Sequence, residues 1–115
     1  MLPPYGTRVL SENHLVARKE PMPTIQLDTV VRQGTDQLSC ELDGETVLLS
    51  IQHGQYYYLN QVGSHIWTLL STAHSAAALC AVLREAYEVE PALCEQEVVE
   101  FLEALLTDDL LQVVA

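Results

Sequence analysis

Between Leu38 and Leu59 apolar and polar residues alternate with turn residues interposed, and from Gln61 onward apolar residues recur at spacings of three and four. The change of period falls within Gly54-Gln-Tyr-Tyr-Tyr-Leu-Asn-Gln-Val-Gly-Ser-His-Ile-Trp67. Leu38–Leu42 and Thr46–Ile51 read as two strands joined at Asp43-Gly44, a dipeptide that favours a two-residue hairpin turn. His53-Gly54 makes the next turn, and Gln55–Leu59 is a third strand, rich in the aromatic residues that suit a half-buried pleated surface. Tyr57 shares the parity of Leu59, so it is expected on the core side, with Tyr56 and Tyr58 on the other.

Asn60 suits a helix N-cap, because its short side chain accepts from the unpaired N–H groups of the first turn. Three helices are expected beyond it. Gln61–Ser71 carries Val62, Ile66, Trp67 and Leu70 on one side; Ser75–Tyr87, capped by Ser75, carries Leu79, Val82, Leu83 and Tyr87. The last starts at Pro91, whose missing N–H is harmless in a first turn, and runs to about Thr107 with a stripe of Cys94, Val98, Phe101, Leu102 and Leu105 flanked by Val99 and Leu106. Asp108-Asp109 ends it, and Leu110–Val114 reads as a short closing strand or a packed tail. Thr29–Arg32 is a short β-branched run. The predicted fold class is α+β and winged-helix-like, a three-stranded antiparallel sheet followed by three α-helices.

The first 26 residues hold four of the five prolines and no sustained period, and are expected to be an irregular arm before a domain spanning 27–115. Arg8-Val-Leu and His14-Leu-Val-Ala are strand-prone if an edge is offered, and Met22 is an alternative start that would make the arm dispensable. A chain of 115 residues supports one domain. No run of eighteen apolar residues or signal-peptide core is present, so the expected location is the cytoplasm. Cys40, Cys80 and Cys94 lack metal-ligand spacing and read as reduced thiols.

Charge narrows the function. The net charge is −11. Residues 1–20 carry Arg8, Arg18 and Lys19 against Glu12 and Glu20, a balance of +1, and the rest carry Arg32 and Arg84 against fourteen acids, a balance of −12. Three helices with a turn near Thr72-Ala73-His74 have the look of a helix-turn-helix with the sheet as its wing. A recognition helix, however, brings Lys and Arg to phosphates, and no basic residue lies between Pro91 and Ala115. Glu95, Glu97, Glu100 and Glu103 read as an ordinary solvated helix face, or as an attraction for a basic peptide. His14, His53, His65 and His74 are scattered, no phosphate loop or nucleophile motif is present, and neither an enzyme nor a cofactor or metal site is expected. A small meander leaves an exposed strand edge, which is a template for a further strand.

Asp43-Gly-Glu-Thr-Val-Leu-Leu-Ser, Gly54-Gln-Tyr-Tyr-Tyr-Leu-Asn and Gln61-Val-Gly-Ser-His-Ile-Trp-Thr-Leu-Leu, followed by Ala78-Leu-Cys-Ala-Val-Leu, Tyr87-Glu-Val-Glu-Pro and Val98-Val-Glu-Phe-Leu-Glu-Ala-Leu-Leu, resemble the PqqD-like family in order, over about residues 28–113. These are the peptide-recognition elements of ribosomal peptide natural product pathways, and the tyrosine-rich third strand is most similar to stand-alone members from lasso peptide pathways. The resemblance implies a non-catalytic protein that binds the leader of a precursor peptide as an added β-strand on the third strand. It then delivers the leader to a processing enzyme: above all the lasso leader cysteine protease, in other branches a radical enzyme or a cyclodehydratase. The peptide site it implies comprises Tyr56, Tyr57, Tyr58 and Leu59 with the outer side of the third helix at Val98, Val99, Leu102 and Leu105, so that Val98→Glu or Leu102→Glu is expected to weaken binding. The alternative is an acidic winged-helix interaction module, in transcription or another assembly, without DNA contact. Two departures stand out: family members commonly have Gly where this chain has Asp108-Asp109, and the arm has no counterpart. Tyr5-Gly-Thr-Arg-Val-Leu10 has the Tyr and Leu spacing of lasso leaders, with Arg8 in place of their proline. Coincidence is the first reading of that spacing; the second is an arm that occupies the peptide cleft of its own or a neighbouring copy.

Overall fold

The computed structural model describes residues 5–9 and 25–114, the stretch 6–9 by its backbone. The expected meander is present. β3 (Gln37–Leu42), β4 (Glu45–Ser50) and β5 (Gln55–Leu59) are antiparallel neighbours, with Cys40 opposite Val47 and Leu48 opposite Tyr57. The β3–β4 turn is built as its dipeptide dictates: Asp43 and Gly44 both take positive φ, 53° and 82°, as a type I′ turn requires. Asn60 Oδ1 caps α1 (Gln61–Leu69) by accepting from Gly63 N at 2.8 Å. Ser75 Oγ caps α2 (Ala76–Ala86) through Ala78 N at 3.0 Å, and α3 (Pro91–Thr107) begins on its proline.

Two features depart from the predicted order of strands and then helices. The sheet has a fourth strand, β1 (Gly6–Val9), which pairs with β5 and gives the order β1-β5-β4-β3. The arm is therefore not irregular throughout, and Tyr5 and Ile25 are both in the core. His14-Leu-Val-Ala and Met22 lie outside the described residues. A second small sheet, β6-β2-β7, joins β2 (Val30–Gln33) to β6 (His74–Ser75), which sits between two helices, and to β7 (Leu111–Val113) at the end of the chain. The secondary structure is α+β, with strands on both sides of the helices in sequence. Gln33 anchors this sheet to the end of α1, its N–H on the Leu70 carbonyl at 2.9 Å and its Nε2 on the Trp67 carbonyl at 2.7 Å.

The core lies between the inner face of the four-stranded sheet and the helices. Leu48, Tyr57 and Leu59 meet Ile66, Leu70, Leu79, Leu83, Phe101, Leu102 and Leu105, all fully buried. Tyr57 ties the layers together: its hydroxyl donates to Asp108 Oδ2 at 2.7 Å and approaches the Ala104 carbonyl at 3.1 Å, both at the end of α3.

The end of α3 answers the question raised by Asp108-Asp109. Leu110 N reaches the Leu105 carbonyl and Asp109 N the Leu106 carbonyl, both at 3.0 Å, which is the paired bonding of a Schellman stop. Asp109 takes φ 60°, the left-handed conformation that glycine adopts at this position, and its Oδ2 meets His53 Nε2 at 2.6 Å. The turn forms without glycine at the expense of backbone strain. Asp109→Gly is expected to raise stability by about 1 kcal/mol, less what the exposed His53 contact contributes, measurable by urea denaturation.

Candidate functional site

The strand edge expected to be open is β5, and the site is built around it. Strand alternation aims Gln55, Tyr57 and Leu59 into the core, and leaves Tyr56 and Tyr58 42% and 53% exposed on the outer face. That face is continuous and apolar: Leu38 and Cys40 of β3 stand beside Leu49 and Val47 of β4, which stand beside Tyr56 and Tyr58. The main-chain groups of β5 are divided in the same way. In an antiparallel ladder, directly opposed pairs exchange both bonds at every second residue. Asn60 N donates to the Tyr5 carbonyl at 3.1 Å, so Tyr56, Tyr58 and Asn60 turn their N–H groups away from β4.

Beyond that edge, β1 runs in register, Gly6 opposite Leu59, Thr7 opposite Tyr58, Arg8 opposite Tyr57 and Val9 opposite Tyr56. The residue before it, Tyr5, enters the protein. Only 8% of it is exposed, and its ring meets Phe101 of α3 edge-on, centroids 5.6 Å apart and planes at 89°, the geometry favoured by aromatic quadrupoles. Gly63, in the first turn of α1, makes room for it: a Cβ there would collide with the Tyr5 carbonyl. Glycine inside a helix costs about 1 kcal/mol relative to alanine, and here that cost secures close passage of a second backbone. Burial, reinforced by nearby Cys94, Glu97 and Cys80, pushes the Tyr5 phenol well above its ordinary value of 10.0. The slot thus takes an uncharged aromatic ring at the start of an added strand.

The residues expected at the site fall into two groups. Tyr56 and Tyr58 flank the edge, and Tyr57 and Leu59 support it from the core. Val98, Leu102 and Leu105 are fully buried and Val99 is half-buried; Phe101 of the same helix is buried beneath the seated Tyr5. Placing a carboxylate at Val98 or Leu102 would disrupt the core rather than report on binding. The residues of α1 and α3 that do line the slot, Gly63 and Phe101, were not singled out by the sequence as site residues. A glycine inside the helix was the available signal for the first.

Among the described residues no group of three His, Cys, Asp or Glu is arranged to hold a metal, and no helix is long and apolar enough to cross a membrane. Cys80 and Cys94 are buried neighbours on α2 and α3, and burial first, then Cys94, lifts the Cys80 thiol from 9.0 to about 12, so it carries no thiolate at neutral pH. His65 is taken up by Tyr87 at 3.2 Å and His53 by Asp109. A separate cleft of about 360 Å³ lies between the β3–β4 hairpin and the end of α1, bordered by Cys40, Glu41, Thr46, Trp67 and Ser71.

Comparison with known proteins follows the same lines. Two solved structures are similar to this chain. One, TbiB1 in complex with the TbiA(beta) leader peptide, is 32% identical, covers 73% of this chain and 98% of its own, and superposes with a TM-score of 0.65. The other, a lasso peptide synthetase B1 complexed with the leader peptide, is 26% identical over 71% of this chain and 96% of its own, with a TM-score of 0.62. No curated protein matches. Residues 45–111, from the start of β4 through α3 to the first residue of β7, match the family described as Coenzyme PQQ synthesis protein D (PqqD). That is more than half of the chain, and with the β-edge, the three helices and the turn between α3 and β7 all inside the matched span, this protein belongs to the PqqD family.

Proposed function

We propose that this protein binds the leader segment of a ribosomally made precursor peptide as a strand added to β5, and delivers it to a processing enzyme. The observation that carries the reading is the edge of β5 itself, which already accepts an extended segment over four residues with an aromatic side chain seated beside it. The two similar structures were solved with leader peptides, which supports the same occupant here. Main-chain bonding supplies affinity without regard to side chain, and the slot under Gly63 and Phe101 supplies selection for an aromatic residue. The recognition domain is the stretch 27–115, working in the cytoplasm, with β3–β5 standing to α1–α3 as the wing does in a winged helix. The enzyme served is a lasso leader protease, and the protein itself acts by binding alone. An acidic body of balance −12 favours leaders with basic residues.

The test is fluorescence anisotropy with a labelled leader from the precursor encoded beside this chain. Saturable binding that a scrambled leader does not compete is the expected result. Failure to bind that leader, or any leader from a neighbouring precursor gene, overturns the reading.

A further inference from the structure

We propose that residues 5–9 are a resident competitor for the β5 edge, so that an incoming peptide gains its site by displacing the chain's own strand. The inference rests on the reading of β5 as the leader-binding edge and concerns how that edge is regulated.

Three independent features point to it. The first is register: four consecutive pairs from Gly6↔Leu59 to Val9↔Tyr56, extended by the Asn60–Tyr5 bond, occupy the outward main-chain groups of β5. A second strand cannot use those groups at the same time. The second is the anchor. Tyr5 fills the slot beside Phe101 and crosses Gly63 at a distance that no other residue type at 63 would permit. The third is charge, since the first twenty residues are the net positive part of a chain whose remainder is strongly negative.

Occupancy by a tethered strand has a simple consequence. The apparent dissociation constant of any competing peptide rises in inverse proportion to the fraction of molecules whose edge is open. If the strand is seated in nine molecules of ten, the apparent constant is about tenfold larger than the intrinsic one. Because the competitor is covalently attached, its local concentration is fixed and does not dilute away. A peptide offering only main-chain bonds gains nothing over the strand it replaces, whereas one that also brings a better-fitting side chain to the slot displaces it. The strand therefore acts as a threshold that admits leaders and rejects generic extended peptides.

The experiment compares the full-length protein with a full-length Tyr5→Ser, Thr7→Pro variant. Serine empties the slot, and proline removes the N–H that the alternation of bonds assigns to the Tyr58 carbonyl. Binding of the labelled leader from the neighbouring precursor gene is measured for both. A synthetic peptide of this chain's residues 1–12 is titrated separately into the variant. The expected result is leader affinity about tenfold higher in the variant, together with binding of the synthetic peptide in competition with the leader. Equal affinities in the two proteins overturn the resident competitor and leave the leader reading intact. Weaker binding by the variant also overturns it, because the arm would then be part of the site and the leader would add outside β1. If the synthetic peptide binds while neither protein binds the leader, self-occupancy of β5 stands and the leader reading falls.

Discussion

Phe101→Ala is expected to destabilise the protein by about 3–5 kcal/mol, the usual cost of removing a fully buried ring from a packed core. Phe101 has no exposed surface and sits mid-way along α3, where the core meets the slot of Tyr5. The loss is a large part of the roughly 5–15 kcal/mol that holds a domain of this size together. Part of it belongs to the Tyr5 contact. A double-mutant cycle with Tyr5→Ser isolates that part, and edge-on aromatic pairs contribute about 1 kcal/mol in such cycles. Urea denaturation of the four proteins gives both numbers. A single-mutant loss below about 1 kcal/mol would mean that Phe101 is not packed as described, and a coupling near zero would mean that Tyr5 does not rest on it.

The second large effect is on binding. In the Tyr5→Ser, Thr7→Pro chain, whose edge is open, Tyr58→Pro is expected to lower leader affinity at least about tenfold while the sheet persists. Proline is tolerated in a strand where the missing N–H faces away from the partner that remains. The Tyr58 N–H faces away from β4, toward the edge that receives the added strand. The ring therefore removes the N–H that would donate to a carbonyl of the incoming peptide and obstructs its approach, without touching the β4–β5 ladder. Tyr58→Ala is the control, since it deletes the exposed aromatic side chain and keeps the N–H. Equal losses in the two variants would assign the effect to the ring of tyrosine and contradict strand addition.

Most of the fold was legible because local chemistry specified it. Asp43-Gly44 demanded the type I′ turn, Asn60 and Ser75 marked two helix starts, Pro91 marked the third, and parity put Tyr57 inside and Tyr58 outside. The second sheet was legible in part: β2 and β7 fall on Thr29–Arg32 and Leu110–Val114, which read as a β-branched run and as a closing strand or packed tail, whereas β6 and the pairing did not show. β6 is two residues long and β7 three, and nothing in His74-Ser75 announces that it will pair with Val30 and Val31, some forty residues earlier. Pairing across that separation is a property of the assembled core rather than of either segment. β1 was legible in part: Arg8-Val-Leu read as strand-prone given an edge, and Gly6–Val9 becomes a strand because β5 has an edge to offer.

The site divided in an instructive way. The recurrence of Cys94, Val98, Phe101, Leu102 and Leu105 already marked the buried stripe of α3, and the structure buries all five. Family resemblance assigned three of them to the peptide site, and the structure buries them in the same layer as Phe101, which meets Tyr5. Periodicity reports burial in the assembled chain, and burial beneath a seated strand is what a cleft residue and a core residue share. Gly63 carried a readable signal as well. Glycine in a helix interior is unfavourable, and its presence one turn after a well-formed N-cap marks a place where another backbone comes close.

Strand addition engages the outward main-chain groups of β5, and amide hydrogen exchange read residue by residue tests them most directly. With the Tyr5→Ser, Thr7→Pro chain, which leaves the edge open, exchange is recorded with and without the leader. The leader is expected to slow the amides of Tyr56 and Tyr58 and to leave Tyr57, already bonded within the sheet, unchanged. A leader that binds yet protects instead the outward amides of β3 at Ser39 and Glu41, or none of the β5 amides, would contradict strand addition to β5.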